Sequence, residues 1–121
     1  MHNEFSINKK VEVKIQRILS ELFSLRISDP RLKNVIITEV KVAKDISTAK
    51  VYFLILNNQY NSKEIELVLR KATGYLKKEM SNQLNLKKLP NLIFTYDTKE
   101  QDAAYMNKLI DKTIANDQKS E

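Results

Sequence analysis

The segment Ile65–Leu86 has the pattern of a long amphipathic helix, and it contains the only glycine of the 121 residues, Gly74. Its apolar residues recur at spacings of three and four, which places them on one helical face. These residues are Ile65, Leu69, Ala72, Leu76, Met80 and Leu84. Glycine inside a helix costs about 1 kcal/mol relative to alanine. A helix–kink–helix with its kink at Ala72-Thr73-Gly74 would turn both halves toward the core.

Four cationic residues flank this predicted kink: Arg70, Lys71, Lys77 and Lys78. A bend with exposed backbone amides, surrounded by such side chains, is suited to a phosphate chain. The alternative is an ordinary helix that tolerates one glycine and carries solvated lysines. From this segment alone, the ordinary helix is the preferred interpretation.

Composition limits the class of protein. A chain of 121 residues with 42% hydrophobic content is long enough for one domain with its own core. It has no cysteine, and its longest apolar run, Val51–Leu56, is too short to span a bilayer. Residues 1–96 carry a net charge of +8 and residues 97–121 a net charge of −2. These features predict a soluble intracellular domain. The basic body indicates a polyanionic partner, such as nucleic acid or anionic lipid. Many ordinary proteins from Lys- and Asn-rich proteomes are equally basic, so charge alone does not decide between a polyanion-binding protein and an ordinary basic one.

The remaining periodicities predict an α+β domain spanning residues 7–115, with flexible termini at 1–6 and 116–121. A first helix is expected from about Asn8 to Ser28, with an apolar stripe at Ile7, Val11, Ile15, Ile18, Leu22 and Leu25. Val35–Ala43 and Ala49–Leu56 form a hairpin, the second strand being covered on both faces, and Leu92–Tyr96 is a third strand. Ser62 caps the kinked helix, and a last helix presents an inner face of Ala103, Met106, Ile110 and Ile114.

Further candidates for RNA contact lie outside the central helix. Lys10, Lys14 and Arg17 lie along one side of the first helix, either as a solvated flank or as the edge of an RNA-binding face. Tyr60 and Tyr75 are the aromatic residues best placed to stack on bases, because Phe53 and Phe94 fall in strands of a small sheet.

Catalysis is not predicted. The only histidine, His2, is near the chain start, and without cysteine no His-activated thiol can form. Asp97, Glu100 and Asp102 surround the start of the last helix, where acidic residues complement the helix dipole. No phosphate-binding glycine loop occurs. We therefore expect no enzyme activity, no metal and no cofactor.

Several motifs in order resemble the ribosome-binding factor A family of bacterial small-subunit assembly factors. They are SDPRL (Ser28–Leu32), VIITEVKVAKD (Val35–Asp45), AKVYF (Ala49–Phe53) and LRKATGYLKKEMSNQLNLKKLPNLIFTYD (Leu69–Asp97), and the similarity covers nearly all of Ile7–Leu109. Ala72-x-Gly74 resembles the AxG of that family, which stands where related KH domains have GxxG.

The resemblance implies a type II KH-like fold and a monomeric, non-catalytic cytoplasmic protein. It implies binding to free small (30S) subunits and their 16S rRNA near the 5′ end and neck during late assembly. Roles in rRNA processing and cold adaptation, and a functional link to a ribosome-assembly GTPase, follow from the same resemblance. The alternatives are a generic KH-like RNA-binding protein and a protein-interaction adaptor.

The resemblance also assigns residues. Ala72 and Gly74 form the kink, and the phosphate contacts come from Arg70, Lys71, Lys77, Lys78, Lys87 and Lys88. Arg31, in the turn after the first helix, faces RNA, whereas Asp45 shapes the hairpin turn.

Overall fold

A computed structural model describes the backbone of residues 2–56 and 60–119 and the side chains of residues 7–56 and 60–112. The elements are α1 (His2–Glu21), a π-helical turn (Leu22–Arg26), α2 (Pro30–Lys33), β1 (Val35–Val42), β2 (Thr48–Ile55), α3 (Ser62–Ser81), β3 (Asn91–Tyr96) and α4 (Lys99–Lys119). The α+β class is confirmed. Residues 57–59, in the predicted loop, and the side chains of residues 1–6 and 113–121 lie outside the described part, so the predicted flexibility of the termini stays a prediction.

The three strands form one sheet in the order β1-β2-β3. β1 and β2 are antiparallel, as the predicted hairpin requires, whereas β2 and β3 are parallel. Alternate residues of β2, namely Ala49, Val51 and Phe53, are buried, while Lys50 between them is exposed and Tyr52 is half-buried. The prediction that β2 is covered on both faces is therefore wrong, because the helices cover only one face of the sheet.

A β-bulge lies in β1 between Ile37 and Glu39, where the pairing register with β2 shifts. The extra residue lets both Ile37 and Val40 point into the core although they are three positions apart. Strict alternation along a regular strand would have placed these two residues on opposite faces.

Helices α1 and α3 pack on the same face of the sheet and enclose the core. The α3 stripe is confirmed at Ile65, Leu69, Leu76 and Met80, all fully buried. The α1 stripe is buried at its centre, whereas its predicted ends, Ile7 and Leu25, are exposed. Burial of one face of each helix supplies most of their stability, since helix propensity alone is weak.

Helix α1 also bonds to the outer edge of β1 through three side chains spaced four residues apart. Asn8 Nδ2 donates to the Ala43 carbonyl at 3.2 Å, and Gln16 Nε2 donates to the Ile37 carbonyl at 3.2 Å. The Val42 amide donates to Glu12 Oε2 at 2.8 Å. Backbone groups of an edge strand thus find partners on a helix instead of on another strand.

Helix α3 runs without interruption from Ser62 to Ser81, through Ala72-Thr73-Gly74. The chain is therefore not divided into two helices there, and the prediction of backbone amides opened by a kink is corrected. The hydroxyl of Thr73 donates to the carbonyls of Leu69 and Arg70, within the helix itself. The N-cap is Asn61, whose side chain accepts from the Glu64 amide, and not Ser62 as predicted.

Helix α4 begins where Asp97 accepts a hydrogen bond from the Lys99 amide at 3.0 Å. Its residues 99–112 are all exposed, including Ala103, Met106 and Ile110. The predicted inner face is therefore wrong for these three residues, because α1 and α3 already fill the helical layer; the side chain of Ile114 is not described. No helix in the described part of the chain is both long and apolar enough to cross a membrane.

Candidate nucleic-acid interface

Gly74 lies on the outer face of α3 at the centre of four cationic residues. Two of them precede Gly74, Arg70 by four positions and Lys71 by three. The other two follow it, Lys77 by three positions and Lys78 by four. Residues at these spacings are neighbours on a helix surface, with Cβ atoms about 5–6 Å apart. We call this group, together with Gly74, the α3 crest. The predicted phosphate-binding cations of the central helix are thus brought together on one continuous helix.

The crest leaves the helix backbone accessible at its centre. Gly74 is exposed, and a methyl group built on it would meet no atom within 4 Å beyond its chain neighbours and the adjacent backbone of its own helix. Arg70, Lys71 and Lys78 are exposed and make no ion pair with any described residue. Lys77 is half-buried, and its ammonium donates to Asn91 Oδ1 at 3.2 Å. An anion can therefore approach the bare backbone between three unpaired positive charges.

Arg31 lies in a different environment from the crest. Its guanidinium makes two hydrogen bonds to the Asp29 carboxylate, at 3.1 and 2.8 Å. These bonds, with a third from the Arg31 amide, hold the pKa of Asp29 below its ordinary value, and they raise the pKa of Arg31. Because two N–H groups of its guanidinium already donate to Asp29 at the start of α2, Arg31 has fewer donors left for a phosphate.

An open groove of about 850 Å³ separates this Asp29–Arg31 turn from α3. Tyr60 and Tyr75, the two predicted stacking residues, both line it, together with Lys71 of the crest. Tyr75 is 46% exposed, whereas Tyr60 is half-buried and packs against the core. Tyr75 is therefore the better placed of the two for a stacking contact.

Lys87 and Lys88 are exposed in the link between α3 and β3. Lys88 is close enough to the β1–β2 turn for its charge to act on Asp45. The Asp45 carboxylate accepts from the hydroxyl and the amide of Ser47, and these bonds lower the pKa of Asp45. The predicted role of Asp45 in shaping the turn is confirmed. The next residue, Ile46, has a φ of 59°, which is costly for a β-branched side chain.

Lys10, Lys14 and Arg17 are exposed along one side of α1. This side differs from the buried stripe and from the Asn8–Glu12–Gln16 side that bonds to β1. No described hydrogen bond, ion pair or groove connects the three residues with the α3 crest. Their part in RNA binding stays a prediction.

Sequence reasoning missed a second charged surface, on the face of the sheet opposite the helices. Lys41, Lys50 and Tyr52 lie there, and Lys99 of α4 reaches over them. The signal was present in the sequence, because β1 and β2 each carry one lysine, Lys41 and Lys50, beside a buried residue. It was overlooked because β2 was expected to be covered on both faces.

The described side chains include no group of three or more His, Cys, Asp or Glu residues placed to hold a metal ion. No charged side chain among them is buried. What the described surface offers to a ligand is exposed positive charge beside bare helix backbone.

The element order, the parallel β2–β3 pair and the basic α3 crest define a KH-like α+β domain. The family model described as "Ribosome-binding factor A" matches residues 7–110. A ribosome-binding factor A from Thioalkalivibrio sulfidiphilus is 34% identical, over 97% of this chain and 91% of its own length. This chain therefore belongs to the ribosome-binding factor A family, as the sequence motifs predicted.

Solved structures agree with this fold. The crystal structure of ribosome-binding factor A from Thermus thermophilus superposes with a TM-score of 0.67 at 24% identity, covering 74% of this chain and 93% of the other. A homology model of the Thermus thermophilus factor, fitted into a cryo-EM map of a complex of the 30S subunit with that factor, gives a TM-score of 0.61, again at 24% identity, covering 74% and 93%.

Proposed function

We propose that this protein binds free small ribosomal subunits through their 16S rRNA and assists their maturation without catalysis. The observation that carries the proposal is the α3 crest, where four cations surround an exposed glycine on an unbroken helix. Membership of the ribosome-binding factor A family supplies the class of partner. The related Thermus thermophilus factor has been placed in a complex with the 30S subunit, which supports the same assignment here.

The crest suits the sugar–phosphate backbone more than the bases. Lysine and arginine side chains contact phosphates without reading sequence, and they fix the position of a protein on its RNA. At Gly74 no side chain separates the phosphate chain from the helix, so the surrounding cations can engage it from both sides. Tyr75, beside the crest, adds a surface on which an unpaired base can stack.

A binding protein promotes maturation only through a difference in affinity between two RNA conformations. We propose that the crest stabilises one conformation of immature 16S rRNA near its 5′ end and neck, during late assembly. Effects on rRNA processing and on growth at low temperature follow if this conformation limits maturation. The protein acts as a monomer in the cytoplasm, in the same process as a ribosome-assembly GTPase.

Co-sedimentation of the purified protein with small subunits, large subunits and assembled ribosomes tests the proposal across a salt series. We expect selective binding to free small subunits. The four phosphate contacts of the crest alone should contribute about −3 to −4 to the slope of log affinity against log salt. Raising salt from 50 to 200 mM should then weaken binding on the order of 100-fold. Equal binding to all three particles would contradict the proposal and indicate a generic RNA-binding protein.

Variants assign the binding to the crest. Lys71→Ala and Lys78→Ala should each lower the magnitude of the salt slope by about 1. Lys33→Ala, at an exposed lysine of α2 outside the crest, is the matched control and should leave the slope unchanged. Crest variants that bind like the control would place the site elsewhere. Complexes that survive RNase digestion would instead favour a protein-interaction adaptor.

A further inference from the structure

The face of the sheet opposite α1 and α3 is a charged surface with a defined arrangement. The strand register places Lys41, Lys50 and Ile93 in one row across the three strands. Glu39, Tyr52 and Thr95 form the next row. We call these two rows, with Lys99 above them, the sheet surface.

The pairing of Lys41 with Lys50 is unfavourable for folding. Residues directly opposite on antiparallel strands have Cβ atoms about 4.5–5.5 Å apart, and like charges at such positions destabilise a sheet. Lys50 has no ion-pair partner among the described residues, and its ammonium lies 5.4 Å from the centre of the Tyr52 ring. Lys41 has only a long contact, 3.8 Å, to Glu39. A bound anion between the two ammonium groups would remove their repulsion.

A third cation, Lys99, lies over the neighbouring row. Lys99, in the first turn of α4, pairs with Glu39 and lies 4.4 Å from the centre of the Tyr52 ring. Glu39 is therefore shared by Lys41 and Lys99. The other carboxylate nearby, Asp97, already accepts from the Thr38 hydroxyl at 2.6 Å and from the Lys99 amide. The ammonium groups of Lys41, Lys50 and Lys99 outnumber these two carboxylates, so the net charge of the sheet surface is positive.

The sheet surface is also amphipathic. Ile93 is 48% exposed beside the lysine row, and Ile36, further along β1, is 40% exposed. Tyr52 is half-buried under two ammonium groups. Positive charge interleaved with aromatic and aliphatic side chains suits a nucleic-acid strand, whose phosphates and sugar or base surfaces need both kinds of contact.

We propose that the sheet surface binds the phosphate backbone of a second RNA segment, so that the protein bridges two parts of the rRNA. The inference rests on the proposed function for the choice of RNA as the anion. Gly74, at the centre of the α3 crest, faces away from the buried stripe of α3, and a helix about 10–12 Å thick separates it from the sheet. The crest borders β3 on one side, where Lys77 donates to Asn91 and Arg70 and Ile93 line a common pocket. A phosphate chain that runs over Gly74 therefore does not also lie flat on the lysine row, and we assign the two surfaces separate segments.

Neutralising variants separate the two surfaces. Lys41→Gln/Lys50→Gln should lower the magnitude of the salt slope for small-subunit binding by about 2, and Lys71→Gln/Lys78→Gln should do the same. Lys33→Gln/Lys63→Gln removes two other exposed lysines and is the matched control. Since the sheet variant also removes a like-charge pair, its urea midpoint should equal or exceed that of the unaltered protein. If the sheet variant binds small subunits like the control while the crest variant binds them more weakly, the proposed bridge is wrong and the proposed function stands.

Directed cleavage locates the two segments. The chain has no cysteine, so Ile93→Cys on the sheet surface and Ser81→Cys at the end of α3 can each carry one iron chelate. In the complex with small subunits, we expect the two probes to cleave separate sets of rRNA positions. Cleavage from Ser81 with none from Ile93 would overturn the inference and leave the proposed function standing. Cleavage from neither position, with both crest and sheet variants binding like the control, would overturn both.

Discussion

Gly74→Ala tests the description of α3 as one continuous helix. Alanine is preferred to glycine in a helix interior by about 0.8–1.0 kcal/mol. The backbone at Gly74 is helical and is not at positive φ, and the added methyl group meets no atom within 4 Å beyond its chain neighbours and the adjacent backbone of its own helix. No steric penalty therefore offsets the gain. We expect the free energy of unfolding to rise by about 0.8 kcal/mol, chiefly because the unfolded chain loses freedom.

Urea unfolding followed by far-UV circular dichroism measures this gain. With an m-value of about 1–3 kcal/mol/M, the midpoint should rise by roughly 0.3–0.8 M with the slope unchanged. The same variant should bind small subunits less tightly, because its methyl group occupies the bare centre of the crest. Ser20→Ala, at an exposed position of α1, is the control: it adds helix propensity, up to about 0.7 kcal/mol, without touching the crest.

The stability of Gly74→Ala tests the helical conformation at position 74, and its affinity for small subunits tests the role of the bare backbone in binding. A Gly74→Ala protein that is less stable than the original would show that position 74 needs a conformation other than a helical one. The predicted kink would then describe the folded state better. A variant that gains stability and keeps full affinity would leave the helix intact but remove any role for bare backbone in binding.

Three further predictions concern stability. Phe53→Ala should cost about 3–5 kcal/mol of unfolding free energy, measured in urea, because this ring is fully buried and packs edge-on against Tyr96 at 5.7 Å. Met106→Ala should change that free energy by less than about 0.5 kcal/mol, since Met106 of α4 is 55% exposed; a loss of about 2 kcal/mol would show that this residue is packed against the domain. The pKa of the Asp29 carboxyl is lower in the folded protein than in the unfolded chain. Its contribution to stability should therefore be fully present above the unfolded pKa of about 3.9, and it should be lost as the pH falls through the pKa of the folded state. The stability difference from Asp29→Asn should therefore shrink on acidification, and a constant difference would refute the linkage.

Periodicity alone predicted the parts of the fold in which local pattern and burial agree. The stripe from Ile65 to Met80 is buried as expected, and the two strands predicted to form a hairpin pair in antiparallel fashion. Periodicity failed where a side chain's environment depends on a distant element. The repeat in α4 does predict a helix, but no periodicity indicates that α1 and α3 already occupy the helical layer. Likewise the bulge before Glu39 is a property of a strand pair, and it changes which residues face inward.

The candidate site was predicted residue by residue but not in its geometry. The four crest cations were identified from their spacing around Gly74, and that spacing is what brings them together on α3. The expected backbone opening was wrong, because the cost of one exposed glycine is too small to break a helix fixed by a buried stripe on its other side. Arg31 was proposed as an RNA contact, but a neighbour two positions away, Asp29, already engages its guanidinium.

The hydrogen bonds from Asn8, Glu12 and Gln16 to β1 bear on the order in which the chain is made. An uncovered edge strand is a template for pairing with another chain, and the hazard is greatest while a protein is incompletely folded. Because synthesis proceeds from the N-terminus, the helix that covers this edge leaves the ribosome before the strand itself. The nascent hairpin thus meets its cover as soon as it emerges, which limits pairing between neighbouring nascent chains on one messenger RNA.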